Sequence, residues 1–328
     1  MKHPRKVLLG AQAGAVALPV CDHYSGVEAR MRKSLQLQAD YSERFGACVF
    51  DVTLDCEDGA AVGAEAEHAQ LVTELVQGLD FGRAIAPRVG VRVHAVDHPA
   101  FEADVAQIVG AVGQRLSHLM VPKVESVADV ERAVRALDAA DGQAVPLHVL
   151  IESPAAVHRA FEIAAHARVA SLSFGLMDFV SAHGGAIPSD GMGVAGQFSH
   201  PLVVRAKLEI ASACHAHGKV PSHCVVTEFK DKAALGQAAR RAARELGYTR
   251  MWSIHPDQIE PILEAFAPSA QEVEKSARII AAAHAADWAP IALDGQLHDR
   301  ASYRYYWQML ERAHQTGCAL PHEASVFF

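Results

Sequence analysis

The sequence predicts an α/β fold, a closed (β/α)₈ TIM barrel with a C-terminal extension. Three observations carry the prediction. Apolar runs of strand length recur eight times, a helix-period segment follows each, and 328 residues suit one barrel of about 250 residues plus insertions. The predicted strands are residues 15–20, 48–54, 90–96, 119–124, 148–151, 171–174, 220–226 and 250–254. Their Val/Ile/Leu character suits strands covered on both faces. The run 15–20 is the weakest of the eight. An open doubly wound sheet is the alternative arrangement of the same elements.

The helical segments follow in order: 25–45, 60–79, 99–116, 126–138, 153–166, 201–217, 231–246 and, after a short piece at 256–266, 269–286. Ser126 opens one with a cap pattern. Ser153 and Pro154 open another, with proline in the first turn where its missing N–H costs least. Gly218 and Gly247 stop two more. Two regions fall outside the repeat. Residues 183–200 form a long glycine-rich loop after the sixth strand, and loops of that length usually serve function. Residues 287–328 carry Tyr303, Tyr305, Tyr306 and Trp307, and read as an extension packed on the barrel or on a neighbouring subunit. The predicted division is a barrel domain at 1–286 and an extension at 287–328.

Composition excludes several classes. Half the residues are hydrophobic and 21% are charged, enough for a large core. The net charge is −8 with no basic block, which argues against nucleic acid. No apolar run reaches the roughly 18 residues of a membrane span. Lys2, Arg5 and Lys6 precede an apolar stretch from Val7 to Val20, but Gln12 interrupts it and no small-residue cleavage site follows. That stretch reads as a short helix or linker rather than a signal peptide. The six cysteines show no CxxC spacing, so they read as small core residues in a reducing cytosol rather than as a zinc or redox motif. The nineteen histidines are mostly isolated, and His215, His217 and His284 read as solvated helix positions.

In a parallel barrel, chemistry sits where strands end at their C-termini. The second predicted strand ends in Asp55, Glu57 and Asp58, and the third contains Arg92. The fourth ends at Lys123 and Glu125, the fifth at Glu152, the sixth at Asp178 and the eighth at His255. Glu152 and Asp178 lie one strand–helix–strand unit apart, so they share a rim. Two hard oxygen donors on adjacent strands suit Mg²⁺ better than they suit two separate helix caps. Arg92, inside an apolar run, must meet an anion: a substrate carboxylate or enolate, or the acidic knot of Asp55, Glu57 and Asp58. One carboxylate of that knot could act as a base or order a metal-bound water; a charge network holding Arg92 and Lys123 is the alternative. Gly191 to Gly196 matches GxGxxG, but no strand precedes it and no acid ends a second strand about 20 residues on, so a flexible loop is the better reading.

These stretches resemble the HpcH/HpaI aldolase/citrate lyase superfamily, and within it the citrate lyase β-subunit-like branch of CoA-ester lyases. The resemblance covers residues 51–299. It rests on Leu54-Asp55-Cys56-Glu57-Asp58, Val91-Arg92-Val93-His94, Val121-Pro122-Lys123-Val124-Glu125-Ser126, Ile151-Glu152-Ser153, Phe174-Gly175-Leu176-Met177-Asp178, Ile254-His255-Pro256-Asp257-Gln258-Ile259 and Leu293-Asp294-Gly295-Gln296-Leu297-His298-Asp299. The resemblance implies a TIM barrel that cleaves or forms carbon–carbon bonds through an enolate beside Mg²⁺. Glu152 and Asp178 would be the metal ligands and Arg92 the enolate- and carboxylate-binding residue, with Lys123 beside it on the substrate. Asp55, Glu57 and Asp58 would form the acidic loop next to the metal. Asp299, with Asp294 as second choice, would reach into a neighbouring subunit of a homotrimer or hexamer. The implied substrate is a 3-hydroxyacyl-CoA such as malyl-CoA or citramalyl-CoA. A class II aldolase acting on free 2-oxo acids, or a non-catalytic metabolite-binding member, are the alternatives. The chain departs from the family pattern at Cys56 and Gly59, at His94 where an asparagine is usual, at Met251 and Trp252 where a lysine is usual, at His223 and Cys224 where an aspartate is common, and in the length of loop 183–200.

Overall fold

The computed structural model describes residues 3–10, 17–58 and 62–328. Its centre is a closed barrel of eight parallel strands in sequential order: β1 (Cys21–Ser25), β2 (Phe50–Asp55), β3 (Val89–Arg92), β4 (Leu116–Val121), β5 (Leu147–Ile151), β6 (Val169–Phe174), β7 (Val220–His223) and β8 (Arg250–Ser253). Closure is direct, since β1 pairs with β8 from Cys21 opposite Met251 to His23 opposite Ser253.

The helices, in chain order, are α1 (Pro4–Leu9), α2 (Glu28–Phe45), α3 (Glu65–Gln77), α4 (Phe101–Val112), α5 (Val127–Ala139), α6 (Pro154–His158), α7 (Ala160–Ala165), α8 (Leu176–Ser181), α9 (Pro201–Ala216), α10 (Lys232–Glu245), α11 (Ile259–Phe266), α12 (Ala270–Ala285), α13 (Arg300–Gln315) and α14 (His322–Ser325). The expected cap at Ser126 is a full capping box with Asp129, and Ser153 accepts from the N–H of Ala156. The expected helix 153–166 is two short helices, interrupted at Arg159. The main core lies between the barrel and its helices, from Val52, Leu54 and Val91 on the strands to Ile108, Ile210 and Ile262 behind them.

The first strand departs from expectation. Residues 15 and 16 lie outside the described residues, and residues 17–20 are not strand; β1 is Cys21–Ser25. The reason is chemical. Asp22 points into the barrel, where bulky aliphatic side chains are the usual filling. Fully buried Arg250 bonds Asp22 (2.9 Å) and Asp51 (2.7 Å), and Asp51 also holds Arg88 (2.6 Å). Thr53 donates to Asp22 at 2.7 Å, and the His118 and His148 rings stack above one another with centroids 3.9 Å apart. Gly90 leaves room for this stack: a Cβ there would lie 2.2 Å from the His118 ring. A charged interior hides its strand from hydrophobic periodicity.

Two guanidinium groups balance two carboxylates in this layer, so its stability depends on keeping all of them. Arg250→Ala strands two buried carboxylates and is expected to cost about 3–5 kcal/mol. Chemical denaturation measures this; a loss under about 1 kcal/mol would mean that water or rearrangement replaces the guanidinium.

The two ends of the chain build a second core. Leu8 and Leu9 of α1 pack with Val273, Ile279 and Ile280 of α12, with Trp288, and with Tyr303, Trp307 and Leu310 of α13. Arg5 pairs with Glu311 at 2.6 Å. The aromatic cluster thus divides: Tyr303 and Trp307 are buried here while Tyr305 faces solvent. The hairpin β9 (Ile291–Leu293) and β10 (Gln296–His298) leads into α13. Among the described residues, no helix is long and apolar enough to cross a membrane.

Candidate active site

β2, β3, β4 and β5 deliver most of the mouth. Asp55 ends β2 fully buried, and its carboxylate accepts from the N–H groups of Glu57 (3.1 Å) and Asp58 (3.0 Å), which curls the following loop inward. Arg92 ends β3 opposite Asp55 in the sheet register. Its guanidinium meets all three acids: Asp55 at 2.7 Å, Glu57 at 2.8 Å and Asp58 at 2.8 Å. Burial opposes its charge, but Asp55 and then Tyr24 and Glu57 outweigh that and lock Arg92 as a cation. The sequence left open whether Arg92 meets substrate or the acidic knot; in this state it is held by the knot.

Tyr24, in the strand the sequence misplaced, completes this corner. Its hydroxyl donates to Asp55 and accepts from Arg92, and its ring stacks on Trp252 with centroids 5.8 Å apart. Burial pushes its phenol well above the ordinary range, so it stays a neutral donor.

Glu152 follows β5 and is 5% exposed. Its Oε1 accepts from the Lys123 N–H at 2.6 Å. That aim depends on a left-handed backbone at Lys123 (φ 52°), a conformation that costs energy in a non-glycine residue and often marks a functional site. The Lys123 ammonium binds Glu57 at 2.6 Å. Partial burial disfavours its charge, but Glu57, Glu152 and Asp178 hold it above its usual range. Asp178 sits not on β6 itself but in the first turn of α8, where it makes no cap bond. It is exposed, and among the described residues its carboxylate has neither a hydrogen bond nor an ion pair. Burial first, and Asp178 second, push the Glu152 carboxyl up to about 8. Glu152 and Asp178 thus disfavour each other's charge, and the nearby Lys123 ammonium pairs with Glu57 rather than with either of them.

Gly175 makes their approach possible. A Cβ there would lie 2.6 Å from both Cβ and Oε2 of Glu152. Gly175→Ala is therefore expected to push Glu152 aside and lower activity about 10²-fold, since small misplacements of catalytic groups cost rates of that order. A titration of activity against Mg²⁺ checks it: the half-saturating concentration should rise while the fold, read by circular dichroism, persists.

Not every residue singled out in the sequence joins the mouth. Asp299 caps α13, accepting from Ala301 (3.0 Å) and Ser302 (3.2 Å), and bonds none of the mouth residues. Asp294 is exposed and paired with Arg278 at 2.9 Å. His255 is part-exposed and stacks on Phe229. Tyr24 and Gly175 had no reading from the residues themselves. A tyrosine among polar neighbours gave no strand signal, and the glycine's role exists only once Glu152 is placed beside it. Asp22, His118 and His148 also bring ligand atoms within 4.8 Å of one another. Arg250 and Thr53 already occupy Asp22, which suits a salt-bridged interior better than an ion.

A closed parallel barrel with this acid-rich mouth at its strand C-termini defines a TIM-barrel enzyme. The chain belongs to the HpcH/HpaI aldolase/citrate lyase family, whose model matches residues 38–256. It is 32% identical to an L-malyl-CoA/beta-methylmalyl-CoA lyase of Cereibacter sphaeroides, over 74% of this chain and 80% of the relative. A crystal structure of a citrate lyase from Burkholderia xenovorans LB400 is 47% identical over the whole of both chains, with a TM-score of 0.80. CitE from Mycobacterium tuberculosis, solved with magnesium, acetoacetate and coenzyme A, shares the fold at 23% identity, with a TM-score of 0.64 over 90% of this chain and 98% of that one. The chain is an enzyme of the carbon–carbon lyase class.

Proposed function

We propose that the protein is a Mg²⁺-dependent lyase that cleaves or forms a 3-hydroxyacyl-CoA, such as malyl-CoA or citramalyl-CoA. The products of cleavage would be a 2-oxo acid and an acyl-CoA, reached through an enolate. The observation that carries this reading is the pair Glu152–Asp178, one carboxyl buried and pushed up to about 8, the other exposed and unpartnered. Five carboxyl groups and two cations meet here, all donors are hard oxygens, and such a set fits Mg²⁺. The name of the Cereibacter relative supports the thioester substrate.

Glu152 and Asp178 would hold the ion, which when bound supplies charge neutralisation and polarises substrate oxygens. The chain's own groups do the rest. Arg92 receives the thioester oxygen and the negative charge that grows on it as the carbon–carbon bond breaks. Asp55 and Tyr24 keep the guanidinium aimed at that point. Lys123 places its N–H on Glu152 and its ammonium at the rim, where a substrate carboxylate enters. Glu57 or Asp58 is placed to take the hydroxyl proton. Asp299 would protonate the enolate carbon of a neighbouring subunit in a homotrimer or hexamer, since within its own chain it only caps a helix. Six free thiols suit work in the cytoplasm.

A panel of CoA thioesters and free hydroxy acids, assayed for 2-oxo acid release with and without Mg²⁺, tests the proposal. Release from a thioester that stops with chelator supports it. Release from free acids alone would move the protein to the class II aldolases, and Mg²⁺ binding with no turnover would make it a metabolite-binding member.

A further inference from the structure

The barrel carries a second cavity at the end away from the mouth. Val220 opens β7 and Thr249 immediately precedes β8, so both mark the N-terminal ends of the strands. They line a space of about 500 Å³ that side chains of α1 and α13 help to enclose. The lysine, arginine and acidic residues that line it are Arg5, Lys219, Arg312 and Glu311. Arg5 and Glu311 pair at 2.6 Å, so two cations remain in excess. Among the described residues, neither has a carboxylate within ion-pair distance. Lys219 donates to the His166 carbonyl at 3.2 Å. The acid whose charge reaches Arg312 is Glu272, and Glu272 is already taken. Arg244 bonds its two oxygens at 3.0 and 3.3 Å, and the Ser269 N–H bonds one of them at 2.7 Å. Arg312 is part-buried; burial first, and the like charge of Arg244 second, disfavour its cation. Burial does the same to Lys219. A cation placed this way costs free energy that an anion beside it would return. Gln308, Arg312 and Gln315 stand at i, i+4 and i+7 of α13, on one face of the helix, and all three line the cavity. Leu9, Leu18 and Met309 add an apolar wall.

We infer that this cavity binds a small organic anion, a phosphate or carboxylate group carried on an apolar body, with Arg312 and Lys219 as its charge partners. The guanidinium has five N–H donors in a planar fork and grips two oxygens of the anion, while the Lys219 ammonium supplies a point charge. Gln308 and Gln315 donate to the oxygens that remain, and the apolar wall covers the rest of the ligand. The volume is that of a small-molecule site, too small for a folded partner. The ligand joins three parts of the chain: the terminal core through α13, the turn between α9 and β7 through Lys219, and the turn between α10 and β8 through Thr249. It therefore acts on the stability of the barrel's base and does not compete with a substrate at the opposite end.

The test needs no turnover, so it stands apart from the lyase reading. The full-length, Mg²⁺-free protein is melted at constant ionic strength in chloride, with phenyl phosphate or phenylacetate added in increasing amounts. The expected result is a rise in melting temperature of about 2–4 °C near saturation with at least one of the two probes. The probe that acts at the lower concentration identifies the anionic group. Arg312→Leu is expected to raise the half-saturating concentration roughly tenfold or more, the scale of one lost charged hydrogen bond. In chloride alone this variant should melt no lower than the native protein, because it removes a cation without an acid. Arg312→Gln takes its place if the leucine variant does not fold. Arg92→Lys, at the mouth, should keep the rise. No rise in the native protein overturns the site, and so does a rise that survives in the Arg312 variant but disappears in Arg92→Lys. A folded Arg312 variant that melts below the native protein in chloride also overturns it, since the chain itself would then satisfy that guanidinium.

Discussion

Glu152→Gln is expected to abolish Mg²⁺-dependent cleavage and, at the same time, to stabilise the metal-free protein at alkaline pH. The first effect follows from the proposal that Glu152 is one of two anionic ligands of the ion. Metal catalysis contributes several kcal/mol, and each 1.36 kcal/mol is a factor of ten, so kcat should fall about 10³-fold or more. The second follows from burial. The folded protein raises the Glu152 carboxyl from 4.5 to about 8, so it binds that proton more tightly than the unfolded chain does. Stability from this group is complete below about pH 4.5 and is lost as pH rises through about 8. Glutamine keeps the acceptor for the Lys123 N–H and removes the titration. Above pH 8 without metal, the variant should therefore melt a few degrees higher than the native protein, and the gap should close toward pH 5. Mg²⁺ binds the folded state alone, so it should raise the native melting point at pH 8.5 and leave that of the variant in place. Melts at two pH values, with Mg²⁺ or chelator, measure all of this. A gap that ignores pH, or a variant that still needs Mg²⁺ for activity, would sink the assignment of Glu152.

The sequence carried the barrel because β2 to β6 are rich in aliphatic residues and the later strands keep the strand–helix rhythm. It lost β1 because Asp22 and His23 are written in the alphabet of loops, and only Arg250, more than two hundred residues away, makes Asp22 a core residue. The acids of the mouth were legible because they stand where apolar runs stop. What they touch was not. Arg92 could have met substrate or any of three acids, and the fold brings all three to it. Tyr24 and Gly175 gain their roles only through contacts across neighbouring strands. Asp178 was expected at a strand end and stands one turn into α8, a shift that leaves its carboxylate uncapped and available.

Arg92→Lys separates the ion pairs of this guanidinium from its proposed use on the substrate. Removal of the charge would strand buried acids and cost stability for reasons unrelated to chemistry. Lysine keeps the charge but has no planar fork, so it cannot hold Asp55 and a substrate oxygen together. The expected outcome is a protein that melts within a few degrees of the native one, with kcat/KM for cleavage lower by roughly 10²–10³, the scale of one lost oxyanion donor. Near-native activity in a folded lysine variant would show that Arg92 serves only its carboxylate partners. The three partners also differ in how easily a substrate displaces them. The side chain of Asp55 is fully buried and that of Glu57 is 9% exposed, but that of Asp58 is 73% exposed. An ion pair on water contributes little, about 0–1 kcal/mol, so the incoming anion should take the Nη2 edge from Asp58 and leave the other two in place. Asp58→Asn would then change kcat only a few-fold and lower KM, because Arg92 would already be free on the side the substrate approaches. A large fall in kcat with KM unchanged would instead make Asp58 the base, and Glu57 the residue that holds Lys123 and Arg92 together.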